Sequence, residues 1–264
     1  MAKMPVLFMG HGSPMNIVEK NRFTRCWKEV ADSIAVPAAI LCVSAHWFQR
    51  GLAVSGTDQP ETIYDFYGFP PELYQIKYPA PGAPQLAEKI RQLQPGTIII
   101  DQDRGLDHGT WSLLHFMYPE AEIPVCQLSV NASFSPQESY RAGKLLSPLR
   151  EEGVLIIGSG NVVHNLAEVD WEKTGGYDWA DEFDDFIKKA VTEGSHDDVI
   201  HYEKAGPSAK VAFYGRDHYE PLLFALGATE SGETVRVFND ERVMGSLSMT
   251  SYLIGESIGK PEHR

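Results

Sequence analysis

Short apolar runs alternate with longer segments of helical periodicity along this chain. The apolar runs cover residues 5–9, 38–43, 97–100, 123–130 and 154–157. They are too short for buried helices and most are rich in Val and Ile, which is typical of strands buried on both faces. A final apolar run at residues 246–254 predicts one more strand.

Three of the intervening segments carry an apolar stripe at helical spacing. They cover residues 83–93, 136–151 and 178–193, and each predicts a helix. Strands that alternate with helices indicate an α/β fold. We therefore expect a single domain with a mostly parallel central sheet flanked by helices.

Residues 58–81 differ from the rest of the chain, because they combine several prolines and aromatic residues without a clean period. One interpretation is a long connection that its aromatic side chains pack onto the body of the protein. Long loops inside a compact domain are more often functional than accidental. We therefore favour an ordered loop that forms one wall of an active site.

Composition narrows the classes of function. The formal net charge is 23 − 36 = −13, which argues against nucleic acid or an anionic membrane surface as a partner. The three cysteines, Cys26, Cys42 and Cys126, form no CxxC pair, so neither a disulfide framework nor a thiolate zinc site is predicted. No leader pattern and no run near the ~20 apolar residues of a membrane span is present, and the cytoplasm is the expected compartment.

Four of the nine histidines follow predicted strands. His11 and His46 come directly after apolar runs, and His108 and His164 come a short loop after two others. Open α/β sheets place their ligand sites beyond the carboxyl ends of the strands. These four side chains are therefore expected to converge on one edge of the sheet.

His218 is reached in a different way. In the segment RDHYEPLLFAL, Asp217 can act as the N-cap of a helix, and Glu220 stands three residues later as its capping-box partner. His218 would then lie in the first helical turn, where the helix dipole disfavours imidazolium. Neutral imidazole is the form that binds metal ions.

Any single histidine is more often a surface or core residue than a ligand, but here several special settings coincide. We predict a mononuclear catalytic metal site built from His11, His46 and His218, with His164 beside them. The remaining four lack such settings and are interpreted as structural: His115, His196, His201 and His263.

The predicted ligands are all nitrogen donors, which suits zinc, iron or another first-row metal. Three protein ligands leave open coordination positions, as in catalytic sites. Iron(II) in such a site can hold a substrate together with O₂, whereas zinc can activate water. The ligand types leave both alternatives open.

Several motifs follow one another in order along nearly the whole chain. They are HGSPMN at 11–16, SAHW at 44–47, DFYGFP at 65–70, LDHGTW at 106–111, GSGNVVHNL at 158–166, DHYEPLLFALGA at 217–228 and MGSLSM at 244–249. These motifs resemble those of the class III extradiol ring-cleavage dioxygenases, in particular the branch of 4,5-DOPA extradiol dioxygenases. The resemblance implies that residues 1–264 form one catalytic domain of this type.

The resemblance implies an enzyme that uses Fe(II), often replaced by Zn(II), to cleave a catechol ring with O₂ to a ring-opened semialdehyde. His11, His46 and His218 match the metal ligands. His164 matches either a fourth ligand or a base, and His108 matches a proton donor near the bound oxygen. Relatives that cleave protocatechuate carry a glutamate in place of His218, so this ligand set lacks their negative charge and should accept zinc more readily.

Further roles follow as hypotheses. Asp107 is either the residue that orients His108 or a turn residue, and Ser13, Asn161 and Tyr67 are candidate pocket groups. A zinc-dependent hydrolase that uses the same histidines is the alternative enzyme. A metal-binding protein that has lost its ancestral chemistry is a third interpretation.

Overall fold

The computed structural model describes residues 3–94 and 96–255. Within these ranges ten strands occur, and eight of them form one sheet in the order β4-β3-β5-β2-β6-β1-β10-β7. The strands are β1 Val6–Gly10, β2 Ala39–Gln49, β3 Leu52–Ser55, β4 Ile98–Asp101, β5 Val125–Asn131, β6 Val154–Gly160, β7 Val235–Phe238, β8 Arg242–Val243, β9 Leu247–Ser248 and β10 Ser251–Ile254. Strands β8 and β9 form a separate antiparallel pair.

The centre of the sheet is parallel. Strands β5, β2, β6 and β1 run side by side in one direction, and β3 is parallel to β4. Antiparallel pairing occurs between β3 and β5 and at the other side of the sheet, where β10 pairs with β1 and β7. The carboxyl ends of β1, β2, β5 and β6 therefore meet at the same edge.

Helices cover both faces of the sheet. Within the described ranges the α-helices are α1 Arg22–Ser33, α2 Pro84–Leu93, α3 His108–Met117, α4 Pro136–Leu146, α5 Asp178–Thr192, α6 His196–Ile200 and α7 Glu220–Gly227. In this part of the chain, none has the length and apolarity that a bilayer crossing requires. The prediction of a single α/β domain with a mostly parallel sheet flanked by helices is confirmed.

The side chains of β1 show how the sheet divides the core. Val6 and Phe8 point into an apolar cluster with α2, α4, α5 and α7, whereas Leu7 and Met9 point into a second cluster with α1 and α3. Successive side chains of a strand face opposite sides, so a continuous apolar run is what two covered faces require.

The predicted helices agree closely with the observed ones. Helices α2 and α5 cover residues 83–93 and 178–193 to within one residue at each end, and α4 continues as a 3₁₀ helix over Ser147–Glu152. Residues 246–254 form two strands, β9 and β10, in place of the single strand predicted, because the chain turns between them. There the side chain of Ser248 accepts from the backbone N–H of Thr250, and that of Ser251 donates to the carbonyl of Met249.

Strand β2 is longer than predicted. Its ladder with β5 shifts register between Ser44 and Phe48 and then resumes, with Phe48 opposite Val130. His46 therefore lies within the irregular end of β2 and not beyond it, which corrects the prediction. The irregularity, a bulge-like insertion, changes the direction of side chains at the strand end.

The loop of residues 58–81 is ordered on the body of the protein. Its only regular element is a 3₁₀ helix over Pro71–Gln75. The hydroxyl of Tyr64 donates to the carbonyl of Ile76 at 2.7 Å, and the indole N–H of Trp111, from α3, donates to the carbonyl of Ile63 at 2.9 Å. The first bond closes the loop on itself, and the second fixes it against α3, beside the carboxyl edge of the sheet.

Candidate metal centre

Three histidines from three separate segments meet at the carboxyl edge. His11 follows β1 directly, His46 lies in the bulged end of β2, and His218 lies in the turn before α7. One ring nitrogen of each lies within 4.8 Å of the others. His11 and His218 are buried, and His46 is partly exposed.

The turn that carries His218 differs from the predicted capping box. Helix α7 begins at Glu220, after an N-cap residue, Tyr219, that makes no side-chain cap. The carboxylate of Asp217 instead lies 2.6 Å from Nδ1 of His218. The Asp217 side chain therefore contacts a ring and does not cap a helix. His218 lies two residues before the start of α7. Burial, followed by the neighbouring His164, lowers the pKa of His218 well below its ordinary value.

The hydrogen bonds of His11 fix its tautomer. The hydroxyl of Ser159 donates its single hydrogen to the carbonyl of Gly109 at 2.5 Å, so its oxygen can only accept from Nδ1 of His11, 3.0 Å away. We therefore place the proton of His11 on Nδ1, which leaves a lone pair on Nε2. Burial, with His46 and His218 as the next causes, lowers the pKa of His11 well below its ordinary value.

The other two histidines are polarised in the same way. Nδ1 of His46 lies 3.2 Å from Oδ2 of Asp65, and Nδ1 of His218 faces Asp217. A carboxylate can only accept hydrogen bonds, so we place the Nδ1 proton of both rings toward it. Their Nε2 atoms are then free to bind a metal ion, which is the arrangement of carboxylate–histidine–metal sites.

The lone pairs assigned to the three Nε2 atoms are not satisfied by hydrogen-bond donors of the described residues. Nε2 of His11 and Nε2 of His46 are only 3.1 Å apart, with a lone pair assigned to each. Nε2 of His218 is buried and has no hydrogen-bond partner within residues 3–94 and 96–255. Buried polar atoms are normally satisfied. A divalent metal ion would satisfy all three, so these residues fit a metal centre.

His164 is a neighbour of this group. Its ring stacks on that of His218, with centroids 3.5 Å apart and planes inclined by 4°. Its backbone N–H donates to the carbonyl of Ala212 at 2.8 Å. Among the described residues, its ring nitrogens are not part of the groups that could hold an ion. Burial lowers the pKa of His164 to about 4, although Asp217 acts in the opposite direction.

His108 is the first residue of α3, and its ring lies 3.9 Å from that of His46, centroid to centroid. Its Nδ1 lies 3.0 Å from Oδ1 of Asp65, and its backbone N–H donates to the same oxygen at 2.9 Å. Asp65, and not Asp107, is therefore the carboxylate that faces this ring, through an ion-pair contact whose angle is not that of a hydrogen bond. Burial and His46 lower the pKa of His108, and Asp65 opposes them.

Asp107 is the N-cap of α3, as the turn interpretation proposed. Its carboxylate is buried and accepts from the hydroxyl of Ser44 at 2.7 Å, from the amide of Gln127 at 2.6 Å and from Arg104 at 2.8 Å. The hypothesis that it orients His108 is therefore wrong, because these contacts hold it under the helix.

Gly109 allows α3 to approach the site closely. A Cβ atom at this position would lie 2.8 Å from Cδ2 of His46 and 2.9 Å from the hydroxyl of Ser44. Any larger residue would therefore push the start of α3, and His108 with it, away from His46.

Asp65 is, with Ser159, a residue of the site that sequence reasoning missed. It opens the motif DFYGFP in the loop of residues 58–81, but an acidic residue in an aperiodic loop gives no signal of its own. Its side chain is 22% exposed. Burial would raise the pKa of Asp65, but the contacts with His108 and His46 outweigh burial and hold it well below its usual range.

The candidate pocket groups have different surroundings. Ser13 caps a 3₁₀ helix, where its hydroxyl accepts from the N–H of Met15 at 3.2 Å. Asn161 is buried and donates to the carbonyl of Ser248 at 2.6 Å. Tyr67 is 92% exposed. A role for each in substrate binding stays a prediction.

The histidines interpreted as structural do not join the centre where the structure describes them. His196 contacts the hydroxyl of Tyr140 at 3.0 Å, and His201 is exposed beside Asp197. His115 packs against its neighbour Phe116 on α3. His263 lies outside the described residues.

The chain is similar to known proteins over most of its length. Residues 4–254 match the family model described as the catalytic LigB subunit of aromatic ring-opening dioxygenase. The chain is 42% identical over 260 residues to 4,5-DOPA dioxygenase extradiol of Escherichia coli (strain K12), covering 96% of this chain and 95% of the relative. A protein of the same name from Beta vulgaris is 41% identical over 253 residues, covering 93% of this chain and 94% of the relative.

A solved structure is also similar. The crystal structure of an uncharacterized protein, JW3007, from Escherichia coli K12 superimposes with a TM-score of 0.84 at 37% sequence identity. The match covers 96% of this chain and 100% of that one. The similarity therefore extends over the sheet, its helices and the segments that carry the histidines.

Proposed function

The chain belongs to the family of the catalytic LigB subunit of aromatic ring-opening dioxygenases and is an extradiol ring-opening dioxygenase, and we propose that its substrate is a DOPA-like catechol. The product would be a ring-opened semialdehyde, with O₂ as the second substrate. Relatives named for 4,5-DOPA support the substrate class. The observation that carries the proposal is the convergence of one ring nitrogen from each of three histidines beside His108.

We propose Fe(II) as the catalytic metal and Zn(II) as an alternative occupant. His11, His46 and His218 would hold the ion through Nε2, and the open positions would bring the catechol oxygens and O₂ together. The three rings are backed by Ser159, Asp65 and Asp217, an arrangement that supports binding of a dication.

We assign His164 the role of base rather than that of fourth ligand. Its ring stacks on that of His218, and among the described residues its nitrogens are not part of the group of three that could hold an ion. With a pKa near 4 the ring is neutral at neutral pH and can accept a proton from a catechol hydroxyl.

His108 would deliver the proton that ring opening requires. Its Nδ1 faces the Asp65 carboxylate, so Nε2 is the atom that takes up and releases the proton. The carboxylate stabilises the transient imidazolium, as in other histidine–carboxylate pairs. Phe66 packs edge-on against the His108 ring at 5.4 Å and limits the access of water to it.

The test of this function is an oxygen-uptake assay. The protein is loaded with Fe(II) under anaerobic conditions and mixed with a panel of catechols, including DOPA, in buffer that contains O₂. We expect O₂ uptake with formation of a yellow ring-opened product. No uptake with any catechol would refute the dioxygenase function, and ester hydrolysis by the zinc-loaded protein would then favour the hydrolase.

His108→Gln separates the proton donor from the metal site. We expect the variant to bind metal as the wild type does, and to turn over roughly 10²- to 10⁴-fold more slowly, the usual contribution of general acid–base catalysis. Metal content and kcat are measured on the same sample. An unchanged kcat would remove His108 from the mechanism.

Two broader predictions accompany this function. We propose that residues 1–264 act as one catalytic domain, which the family match over residues 4–254 supports. The partners would be a catechol and O₂, and the net charge of −13 disfavours nucleic acid. A cytoplasmic location stays a prediction from the sequence.

A further inference from the structure

One carboxylate serves two histidines of different function. Oδ2 of Asp65 lies 3.2 Å from Nδ1 of His46, a ligand in the proposed centre. Oδ1 lies 3.0 Å from Nδ1 of His108, the proposed proton donor, and also accepts from the His108 backbone N–H at 2.9 Å. One oxygen of Asp65 thus contacts a histidine of the metal centre, and the other contacts the proposed proton donor.

Asp217 offers a natural comparison within the same site. Its carboxylate lies 2.6 Å from Nδ1 of His218, a ligand, and 31% of its side chain is exposed. Among the contacts of the described residues, it has none with His108. Both carboxylates therefore lie behind a histidine that binds the metal. Of the two, only Asp65 also contacts His108, the proposed proton donor.

Asp65 and Asp217 can balance the charge of a bound metal ion. Three neutral imidazoles carry no negative charge to balance a dication, unlike a ligand set that includes a carboxylate. Asp65 and Asp217 place two negative charges directly behind the ligands, and a carboxylate in contact with Nδ1 raises the basicity of the ligating imidazole. The balancing charge then lies behind the rings and not on the metal.

The loop ties Asp65 firmly to the helix that carries His108. The backbone N–H of Ile63 donates to the carbonyl of Leu106 at 2.8 Å, and Trp111 of α3 donates to the carbonyl of Ile63. Asp65, two residues later, is therefore held in place relative to the start of α3. A displacement of the loop would move both of its histidine contacts together.

We propose that Asp65 is a positioning residue that fixes the Nδ1–H tautomer of both His46 and His108, and so couples metal binding to proton delivery. The second half of this inference rests on the proposed dioxygenase function. The first half concerns only the metal centre.

Three isosteric substitutions test the proposal. Asp65→Asn removes the shared carboxylate, Asp217→Asn removes the carboxylate that serves one ligand, and Asp58→Asn alters an exposed acid of the same loop. Zinc affinity is measured by competition with a chromophoric chelator. We expect about a 10- to 100-fold loss for the first two, the usual effect of removing such a partner, and none for Asp58→Asn.

Kinetics at saturating Fe(II) distinguish the two acids. We expect kcat of Asp65→Asn to fall about tenfold or more below that of Asp217→Asn, with KM for the catechol similar in the two. A residue that merely supports the fold would not produce this difference. Asp65→Glu, which retains the carboxylate, should recover part of kcat.

Histidine NMR provides a readout that needs neither metal nor activity. Long-range ¹H–¹⁵N spectra of the metal-free protein report the tautomer of each ring. We expect Asp65→Asn to change the ring nitrogens of His46 and His108, and Asp217→Asn to change those of His218. Near-ultraviolet circular dichroism checks that each variant is folded.

Two results would overturn the proposal. Zinc affinity of Asp65→Asn equal to that of Asp58→Asn would remove Asp65 from the metal centre. Equal kcat for Asp65→Asn and Asp217→Asn would remove the coupling. If the wild type cleaves no catechol, the proposed function fails, while zinc affinity and the NMR spectra still decide the role of Asp65 at the metal centre.

Discussion

The two edges of the parallel sheet bury polar groups in opposite ways. At the amino edge, the Arg150 side chain is 1% exposed and donates to the carbonyls of Met4 and Ala228 at 2.7 and 3.0 Å. It also forms a bidentate pair with Glu233 at 2.6 and 2.9 Å. At the carboxyl edge, histidine Nε2 atoms meet without such partners among the described residues.

The difference separates a stabilising group from a functional one. Arg150 finds acceptors in the chain before β1, in the chain after α7 and in Glu233, so it holds together segments that are distant in sequence. The three histidine rings contact a hydroxyl or a carboxylate through Nδ1. Nε2 of His11 and Nε2 of His46 face each other, and Nε2 of His218 has no partner among the described residues, so the Nε2 atoms are arranged for a ligand that the chain does not supply. Substitutions at the two edges should therefore affect different properties.

The largest effect is expected from His11→Ala at the carboxyl edge. The variant loses one of three ligands, so zinc affinity should fall by more than the roughly 100-fold that loss of a supporting carboxylate costs. The metal-free protein should keep its free energy of unfolding to within about 1 kcal/mol, because an imidazole placed for a ligand contributes little to folding. Chelator competition and urea unfolding measure the two quantities. Retained zinc affinity would contradict the ligand assignment.

Arg150→Met at the amino edge should lower the stability of the fold and leave zinc affinity unchanged. The substitution keeps the apolar stem and removes the guanidinium, which leaves Glu233 and two backbone carbonyls without their donor. We expect a loss of about 3–5 kcal/mol in the free energy of unfolding, as for other broken buried pairs. Zinc affinity of the folded variant should match the wild type. A large change in zinc affinity would show that the two edges are coupled.

Sequence patterns predicted which edge of the sheet carries the site, but they predicted the detailed positions of its residues less well. His11 follows a short apolar strand, and strand ends converge in any parallel sheet, so its position was predictable. His46 was misplaced because a bulge continues β2 past its apolar run, and bulges have no periodic signal. The turn at His218 was misread because Asp217 has two possible partners, a helix N-terminus or a ring, and packing decides between them.

Residues that act through long-range contacts were the hardest to predict. Asp65 meets His108 across 43 positions of sequence, through a loop without a period. Arg150 lies in a predicted helical segment where an exposed position would be the default for Arg. The burial of Arg150 depends on its ion pair with Glu233, which is 83 positions away, and no local sequence pattern indicates this pairing.

The smallest expected effect is the pH dependence of stability at the amino edge. Burial acts to raise the pKa of Glu233, but its bonds to Arg150, the Glu230 backbone and Lys3 outweigh burial and lower it. The carboxylate therefore stabilises the fold above the unfolded-state pKa of about 4.3, and this contribution is lost as the pH falls through the lower folded-state pKa.

Glu233→Gln removes that titration while it keeps a side-chain oxygen that can accept from Arg150. We expect the variant to be less stable than the wild type by about 1 kcal/mol at neutral pH, since one charge-assisted bond becomes a neutral one. The difference should shrink as the pH falls from about 5 to about 3, because protonation neutralises Glu233 in the wild type. Urea unfolding across this range measures it. A difference independent of pH would mean that Glu233 acts through its shape and not its charge, so the amino edge would not depend on an ion pair.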